Sequence, residues 1–370
     1  MLVNDFQPNW IHSPSKVINQ FIVLADINLQ SIDYNILEFI DKIEKEKVKI
    51  NQSNVSLLSN FLGGSSDFWI SLQKQYDENI ERLESKPIDP QFKDFKNTIE
   101  ELKSEQWLPS TNSDYLDQVN LKTFYGLSEL NLLEKNKIIS NNLGSKLKRI
   151  GQYSISDVNL ATFARKVELE ANKQLNSISA SWNKDILISM LEEIKELTKK
   201  KKVLDILPYL QEYLNRCGVA LVFIPTLSKT PICGLAKFIG NDKAVIAITP
   251  KYNRDYIFWQ TLFHEIGHLI LHAENMIFCD EKYENDNQSS IELEADNFMF
   301  ENLLKPLKPE DLSDFIDINL LNRKKVEGWK EICKKARELN ISPSLLTGIL
   351  KKKGLIPYSY YKNGHYTLID

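Results

Sequence analysis

The stretch that decides the fold of the C-terminal half is residues 255–272, which read DYIFWQTLFHEIGHLILH. Apolar side chains occur all around the helical wheel of this stretch rather than along one stripe, and a helix of that kind must be buried on every side. Asp255 stands at its start. It is predicted to be the N-cap, because a carboxylate there can accept a backbone N–H of the first turn.

Two histidines and a glutamate lie inside this helix, in the pentapeptide His264-Glu265-Ile266-Gly267-His268. Histidines four residues apart lie on one helix face, about 6 Å apart along the axis. Two imidazoles so placed can share one tetrahedral Zn²⁺. Glu265 is then placed to act as a general base for a water on the ion rather than as a ligand. The competing interpretation is that both histidines are core residues with ordinary hydrogen bonds.

A carboxylate on the next predicted helix, residues 289–304, completes the candidate site. Glu292 is predicted to be the third zinc ligand. Asp296, one turn later, is predicted to accept the second N–H of a ligand histidine. Two alternatives stay open: Glu294 competes with Glu292 as the ligand, and Glu292 could instead form a capping box with Ser289.

The other three histidines are not expected to bind this ion. His272 continues the four-residue spacing but lies about 12 Å from His264 along the helix axis. A position favoured by the helix C-terminus explains His272 better than metal binding does. His12 and His365 stand alone near the chain ends.

Three short apolar runs precede the helix and predict a small β-sheet: residues 219–224, 232–239 and 244–249. The last run is predicted to be an edge strand that receives an extended peptide by β-addition, which suggests a protein substrate. Three polar residues that follow it could stabilise an oxyanion, but surface or N-cap roles are favoured, and none is assigned a catalytic role: Tyr252, Arg254 and Tyr256.

The remaining sequence is largely helical in pattern, with apolar residues three or four apart, so the predicted fold class is α+β and mostly α. Pro87 and Pro90 interrupt the pattern and indicate a boundary. Four regions are predicted: an all-α N-terminal domain, a helical middle region, a zincin-like domain with the sheet and the metal-site helix, and a helical tail. Their bounds are residues 1–84, 85–202, 203–306 and 307–370.

The composition excludes several classes of protein. The 370 residues carry 46 basic and 50 acidic side chains, a net charge of −4, which argues against a polybasic nucleic-acid-binding protein. No apolar run approaches the roughly 20 residues that span a bilayer, so no membrane association is expected. The four cysteines lie far apart with no CxxC pair, which suggests free thiols and a cytoplasmic protein.

Part of the sequence resembles the ImmA/IrrE family of bacterial metallopeptidases. The likeness rests on Gly234 before a strand, on FWQTLFHEIGHLILH at residues 258–272, and on ELEAD at residues 292–296. Met299 and the polar insert at residues 273–288 depart from the family pattern without touching the ligands. The resemblance implies a zinc-dependent endopeptidase with a narrow choice of substrate, typically a repressor or an antitoxin.

The N-terminal eighty residues and the tail resemble HigA-type antitoxins of the Xre helix-turn-helix class, fused to ImmA/IrrE proteins. The likeness lies in residues 13–18, 64–77 and 340–359. Residues 1–80 hold six lysines, no arginine and ten acids, so repulsion from DNA phosphates is expected. The helix-turn-helix domain is therefore predicted to be degenerate, with DNA binding disfavoured. Five acidic residues occupy the region of the recognition helix: Asp33, Glu38, Asp41, Glu44 and Glu46.

Two hypotheses about function follow. The first is a zinc metallo-endopeptidase that cleaves a repressor or antitoxin in a toxin–antitoxin, phage or stress-response setting. The alternative is a HigA-like antitoxin or transcriptional regulator that binds a toxin or operator DNA and uses its zincin-like domain as a sensor without proteolysis. A hydrolase of small molecules is a third, weaker option. The expected partners are a protein substrate or a cognate toxin, and a homodimer is compatible with both hypotheses.

Overall fold

The computed structural model describes residues 13–24, 33–128, 131–135, 137–138, 155–200, 202–230, 232–272, 277–279, 286–361 and 368. The chain forms two compact units, Met1–Glu134 and Lys135–Asp370. The described residues of the first unit form helices and connecting turns, and those of the second combine helices with a small sheet. The prediction of a mostly helical α+β chain is therefore confirmed, while its division into four regions remains a prediction.

Helices of the first unit begin and end at residues suited to those positions. Gly63 and Gly64 adopt positive φ angles in the turn before the longest of these helices. Ser65 caps that helix by accepting the N–H of Phe68, and Trp69 is fully buried and donates its indole N–H to Gly63 O at 2.9 Å. The described helices are α1 (Pro14–Leu24), α2 (Tyr34–Glu44), α3 (Val55–Leu62), α4 (Ser66–Glu84), a 3₁₀ turn (Phe92–Phe95), α5 (Lys96–Ser104) and α6 (Asp114–Phe124).

The acidic region that corresponds to the recognition helix of the HigA-type antitoxins includes α2. Residues 25–32, which precede α2 and belong to the predicted helix-turn-helix region, lie outside the described residues. On α2 and at its end, Lys42 pairs with Glu38 at 2.8 Å and Lys45 pairs with Asp41 at 2.6 Å. These two basic side chains are thus neutralised locally by acids. The likeness to HigA remains a prediction.

The second unit carries the sheet and all of the predicted site. Its second long helix begins at Asp286, three residues before the predicted start at 289. The described elements are α7 (Ile155–Leu175), α8 (Lys184–Ser189), α9 (Leu191–Leu197), α10 (Val203–Asn215), β1 (Val219–Phe223), β2 (Gly234–Ile239), β3 (Lys243–Ile248), α11 (Asp255–Leu271), β4 (Ile277–Cys279), α12 (Asp286–Leu304), a 3₁₀ turn (Pro309–Asp311), α13 (Leu312–Phe315), α14 (Ile318–Arg323), α15 (Lys325–Glu338) and α16 (Pro343–Lys352).

The sheet has the strand order β1-β3-β2-β4, with β1 parallel to β3 and the other pairs antiparallel. The three predicted strands are present, and β4 adds a fourth. Strand β3 lies between two partners, so the prediction that it is an edge strand was wrong. Its unbroken buried run, Ala244 to Ile248, is typical of a strand covered on both faces. On the outer side of β1, the carbonyl of Leu221 accepts side-chain N–H groups from Gln174 and Gln211.

Helix α11 lies in the middle of the unit, as the apolar residues on nearly all of its sides predict. It packs against β2, β3, α12 and α16, and the side chains of Trp259 and Phe263 are fully buried. The prediction for Asp255 was wrong, because Arg254 occupies the N-cap position and Asp255 is the first helical residue. The Asp255 carboxylate is buried and accepts the hydroxyl of Ser344, on α16, at 2.6 Å.

The C-terminal helix α16 is part of the same core as α11. Gly348 allows this contact, because a side chain there would collide with the ring of Tyr256 on α11. Residues of the predicted tail therefore contribute to the surroundings of the metal-site helix. Among the described helices, none has both the length and the apolar composition needed to cross a membrane.

Candidate metal centre

Three side chains from two helices bring their ligand atoms to one place. His264 and His268 lie one turn apart on α11, and Glu292 lies on α12. The atoms that could bind an ion all lie within 4.8 Å of one another. His264 Nε2 is 3.0 Å from His268 Nε2 and 3.1 Å from Glu292 Oε2, and His268 Nε2 is 3.4 Å from Glu292 Oε1.

Small residues let the two helices approach closely enough for this convergence. Gly267, inside the pentapeptide, faces Ala295 on α12. A methyl group built on Gly267 would lie 3.1 Å from the Phe298 ring and 3.3 Å from the Ala295 Cα. A side chain at position 267 would therefore be in tight contact with α12, which would have to give way by a few tenths of an ångström.

Asp296 contacts His264 on the ring nitrogen that points away from the converging atoms. His264 Nδ1 donates a hydrogen bond to Asp296 Oδ1 at 2.8 Å. That bond leaves His264 Nε2 as the nitrogen available to an ion, and it fixes the orientation of the ring. The same Asp296 oxygen accepts a hydrogen bond from Lys352, on α16, at 2.7 Å.

The electrostatics of the cluster favour a positive charge between its carboxylates. Burial alone would lower the pKa of His264, but hydrogen bonds to Asp296 and Glu292 outweigh it and raise that pKa to about 10. Burial acts to raise the pKa values of the Glu292 and Asp296 carboxyl groups. Hydrogen bonds outweigh it, from His264 and His268 for Glu292 and from His264 for Asp296, and they lower both pKa values to about 2. Burial lowers the pKa of His268. The site thus suits either a proton on His264 or a metal ion.

Glu265 is fully buried beside the cluster and is not one of its converging ligands. Its carboxylate lies against Gly234, the first residue of β2. A side chain at position 234 would collide with the carboxylate, so the start of β2 determines where Glu265 can sit. This arrangement places a carboxylate next to the ligand histidine without adding it to the ligand set.

The competing candidates lie elsewhere. The Glu294 side chain is 58% exposed, against 26% for that of Glu292. Oε2 of Glu294 lies 3.8 Å from His272 Nε2. His272 is the C-cap residue of α11, and it is not in the converging group. Tyr252 is exposed and Tyr256 packs under Gly348.

Some predictions concern residues whose side chains the structure does not describe. These residues are His12, His365 and Ser289. The backbone at Ser289 lies inside α12, which begins at Asp286, so Ser289 is not at the N-cap position that the capping-box alternative with Glu292 requires.

Sequence reasoning missed Lys352. It is 56 residues from Asp296 in the chain, and no spacing rule relates the two positions. The only signal is a run of three lysines, Lys351 to Lys353, at the end of α16, and such a run usually indicates a solvated helix end.

The donor set fits zinc. Two imidazole nitrogens and one carboxylate are the ligands of one common class of catalytic zinc site, which keeps a fourth position open. Ligands about 2.1 Å from a tetrahedral ion are about 3.4 Å apart, and the three distances here are 3.0, 3.1 and 3.4 Å. Little rearrangement would be needed for the three side chains to hold the ion.

Comparison with known families agrees with this chemistry. The model of the IrrE N-terminal-like domain, a family of zinc-dependent M78 peptidases, matches residues 228–311. That range runs from just before β2 to just after α12, and it contains His264, Glu265, His268, Glu292 and Asp296. No curated protein matches the chain. Residues 228–311 of the second unit are therefore similar to a metallopeptidase domain.

Proposed function

We propose that this protein is a zinc-dependent metallo-endopeptidase that cleaves a regulatory protein. The observation that carries the proposal is the convergence of His264, His268 and Glu292 beside the buried Glu265. Two nitrogens and one carboxylate would hold the ion, and a set of three protein ligands would leave it able to bind water or substrate. The match to a peptidase family over the same residues supports the same reaction class.

Each residue has a distinct part in this proposal. A bound zinc ion supplies Lewis acidity, which makes water more acidic and polarises a substrate carbonyl. Glu265 would take a proton from the attacking water and then pass it to the leaving amine. Asp296 would keep His264 in the tautomer whose Nε2 faces the ion. Glu265 is fully buried, so little bulk water surrounds its carboxyl group, and electrostatic interactions there are stronger than in water.

The proposed substrate is a repressor or an antitoxin, as the likeness to ImmA/IrrE proteins implies. The sheet offers a place for an extended segment of such a protein. Strand β4 is an edge strand of the described sheet and pairs with β2, whose first residue touches Glu265. A peptide that hydrogen-bonds along an edge strand presents an extended backbone, the shape that a cleft beside a sheet can accept.

The test uses the purified full chain and a repressor or antitoxin encoded by a neighbouring gene. Wild type should contain one zinc per chain and should cut this protein at one site. Glu265→Gln should keep the zinc and lose cleavage, because the amide cannot accept the water proton. The matched control, Glu294→Gln, removes an exposed carboxylate from α12 and should keep both. Cleavage by Glu265→Gln, or wild type without metal, would refute the proposal.

A further inference from the structure

We propose that Lys352, on α16, is a positioning residue of the metal centre that acts through Asp296. The proposal rests on the zinc site described above. Lys352 Nζ and His264 Nδ1 both donate to Asp296 Oδ1, at 2.7 and 2.8 Å. The ligand histidine and the C-terminal helix therefore share one carboxylate oxygen.

Asp296 needs this second contact because it is not enclosed by the core. Its side chain is 29% exposed, so with one partner alone it could rotate toward water and leave His264 Nδ1. A charged donor on its other side restricts that rotation. With the carboxylate held in place, the ring of His264 keeps its orientation before an ion arrives, and less ordering remains to be done on binding.

The backbone that carries Lys352 is itself fixed on α11. Ser342 caps α16 by accepting the N–H of Leu345. Ser344 donates to the buried Asp255, and Gly348 packs on Tyr256. The lysine is thus attached to an element that cannot move independently of the ligand histidines.

Charge balance points the same way. Three carboxylates lie at the centre: Glu265, Glu292 and Asp296. Lys352 brings one positive charge directly to the Asp296 carboxylate, at 2.7 Å. Lys352 would also repel a bound ion. Asp296 and the ring of His264 would lie between the lysine and the ion, and salt weakens repulsion between charges that are not in contact. We therefore expect positioning to outweigh repulsion, most clearly at high ionic strength.

The experiment measures zinc affinity of the full chain by competition with a chromophoric chelator, in about 0.5 M salt, where the screening length is below about 5 Å. Lys352→Met should weaken binding by about three- to tenfold, less than the loss typical of a residue that touches a ligand. Lys352→Arg should restore most of it. The control is Lys353→Met, which removes an adjacent lysine over the Phe300 ring and should change affinity by less than about twofold.

A double-mutant cycle shows whether the effect passes through Asp296. In the Asp296→Ala background, Lys352→Met should cause no further loss. Equal losses in both backgrounds, or the same affinity for Lys352→Met as for Lys353→Met, would overturn the proposal. These outcomes do not depend on cleavage. If the wild-type protein binds zinc but cuts no protein, the proposed function is refuted and the proposed role of Lys352 is not.

Discussion

Gly234 and Glu265 are in contact, although they lie on a strand and a helix of the second unit. A methyl group built on Gly234 would be 2.5 Å from Glu265 Oε1 and 2.9 Å from its Cγ. It would also be 2.5 Å from the Thr261 side chain. Only glycine fits at this position. Glu265, the proposed general base, occupies the space that a side chain at position 234 would fill.

Gly234→Ala should therefore impair cleavage more than it impairs zinc binding. The added methyl must displace Glu265, which we expect to reduce kcat by at least about 10²-fold, while His264, His268 and Glu292 stay where they are. Overpacking should also lower the free energy of unfolding by about 1–3 kcal/mol. Zinc content, kcat and urea denaturation of the same preparation check these expectations.

The control for this substitution is Gly240→Ala, just beyond the other end of β2. Gly240 has a φ of +64° and open space around it, so alanine there strains the backbone without touching the site. It should cost a similar amount of stability and leave kcat near that of wild type. Equal loss of activity in both variants would mean that general destabilisation, and not the displacement of Glu265, explains the result.

Glu292 and Glu294 give opposite expectations for zinc affinity. Glu292→Gln should weaken zinc binding by about 100-fold or more, because a neutral amide is a poor ligand for zinc. Glu294→Gln should change affinity by less than about twofold, since its side chain is 58% exposed and directed toward His272. Chelator competition measures both. The reverse ranking would assign the third ligand to Glu294.

Zinc binding should release close to one proton per chain at pH 6. Without metal, His264 has a pKa of about 10 and is protonated, whereas a zinc ligand must be neutral. Calorimetry at pH 6 in two buffers with different ionisation enthalpies measures the release, at a pH where ionisation of bound water contributes little. Asp296→Asn removes one cause of the raised pKa of His264, so zinc binding to this variant should release fewer protons. A value near zero for wild type would mean that His264 is already neutral.

Stability of the metal-free protein should be highest close to pH 6.5. Burial lowers the pKa of His268, which contributes stability above about pH 6.5 that is lost as pH falls. The raised pKa of His264, about 10 against 6.5, contributes stability below pH 6.5 that is lost as pH rises through 10. The lowered pKa values of Glu292 and Asp296, about 2, contribute stability above about pH 4.5 that is lost as pH falls toward 2. The loss of unfolding free energy on the acid side of this maximum (the acid limb) and on the alkaline side (the alkaline limb) should each amount to a few kcal/mol at most.

Urea denaturation in the presence of a chelator, across this range, measures both limbs. His264→Phe should flatten the alkaline limb, because the group whose pKa is raised is then absent. A wild-type profile that does not change between pH 6.5 and 10 would contradict the raised pKa of His264.

Local spacing in the sequence was enough to select the two histidines as candidate metal ligands. His264 and His268 are four residues apart, and helix geometry alone puts them on one face. The apolar residues on nearly every side of this helix likewise predicted that it is buried, and the structure agrees. Glu292 was predicted from its place near the start of the next helix, and the structure brings it to the two histidines.

Contacts between distant segments decided the rest. Strand β3 lies inside the sheet because β1, from earlier in the chain, pairs along its outer side. Asp255 accepts a hydrogen bond from Ser344, and Asp296 accepts one from Lys352, both of them on the C-terminal helix. Helical and strand periodicities describe how a segment faces its neighbours without saying which neighbours it will have. Strand order, the partners of buried charges and the surroundings of the ligands therefore emerge only when the chain packs.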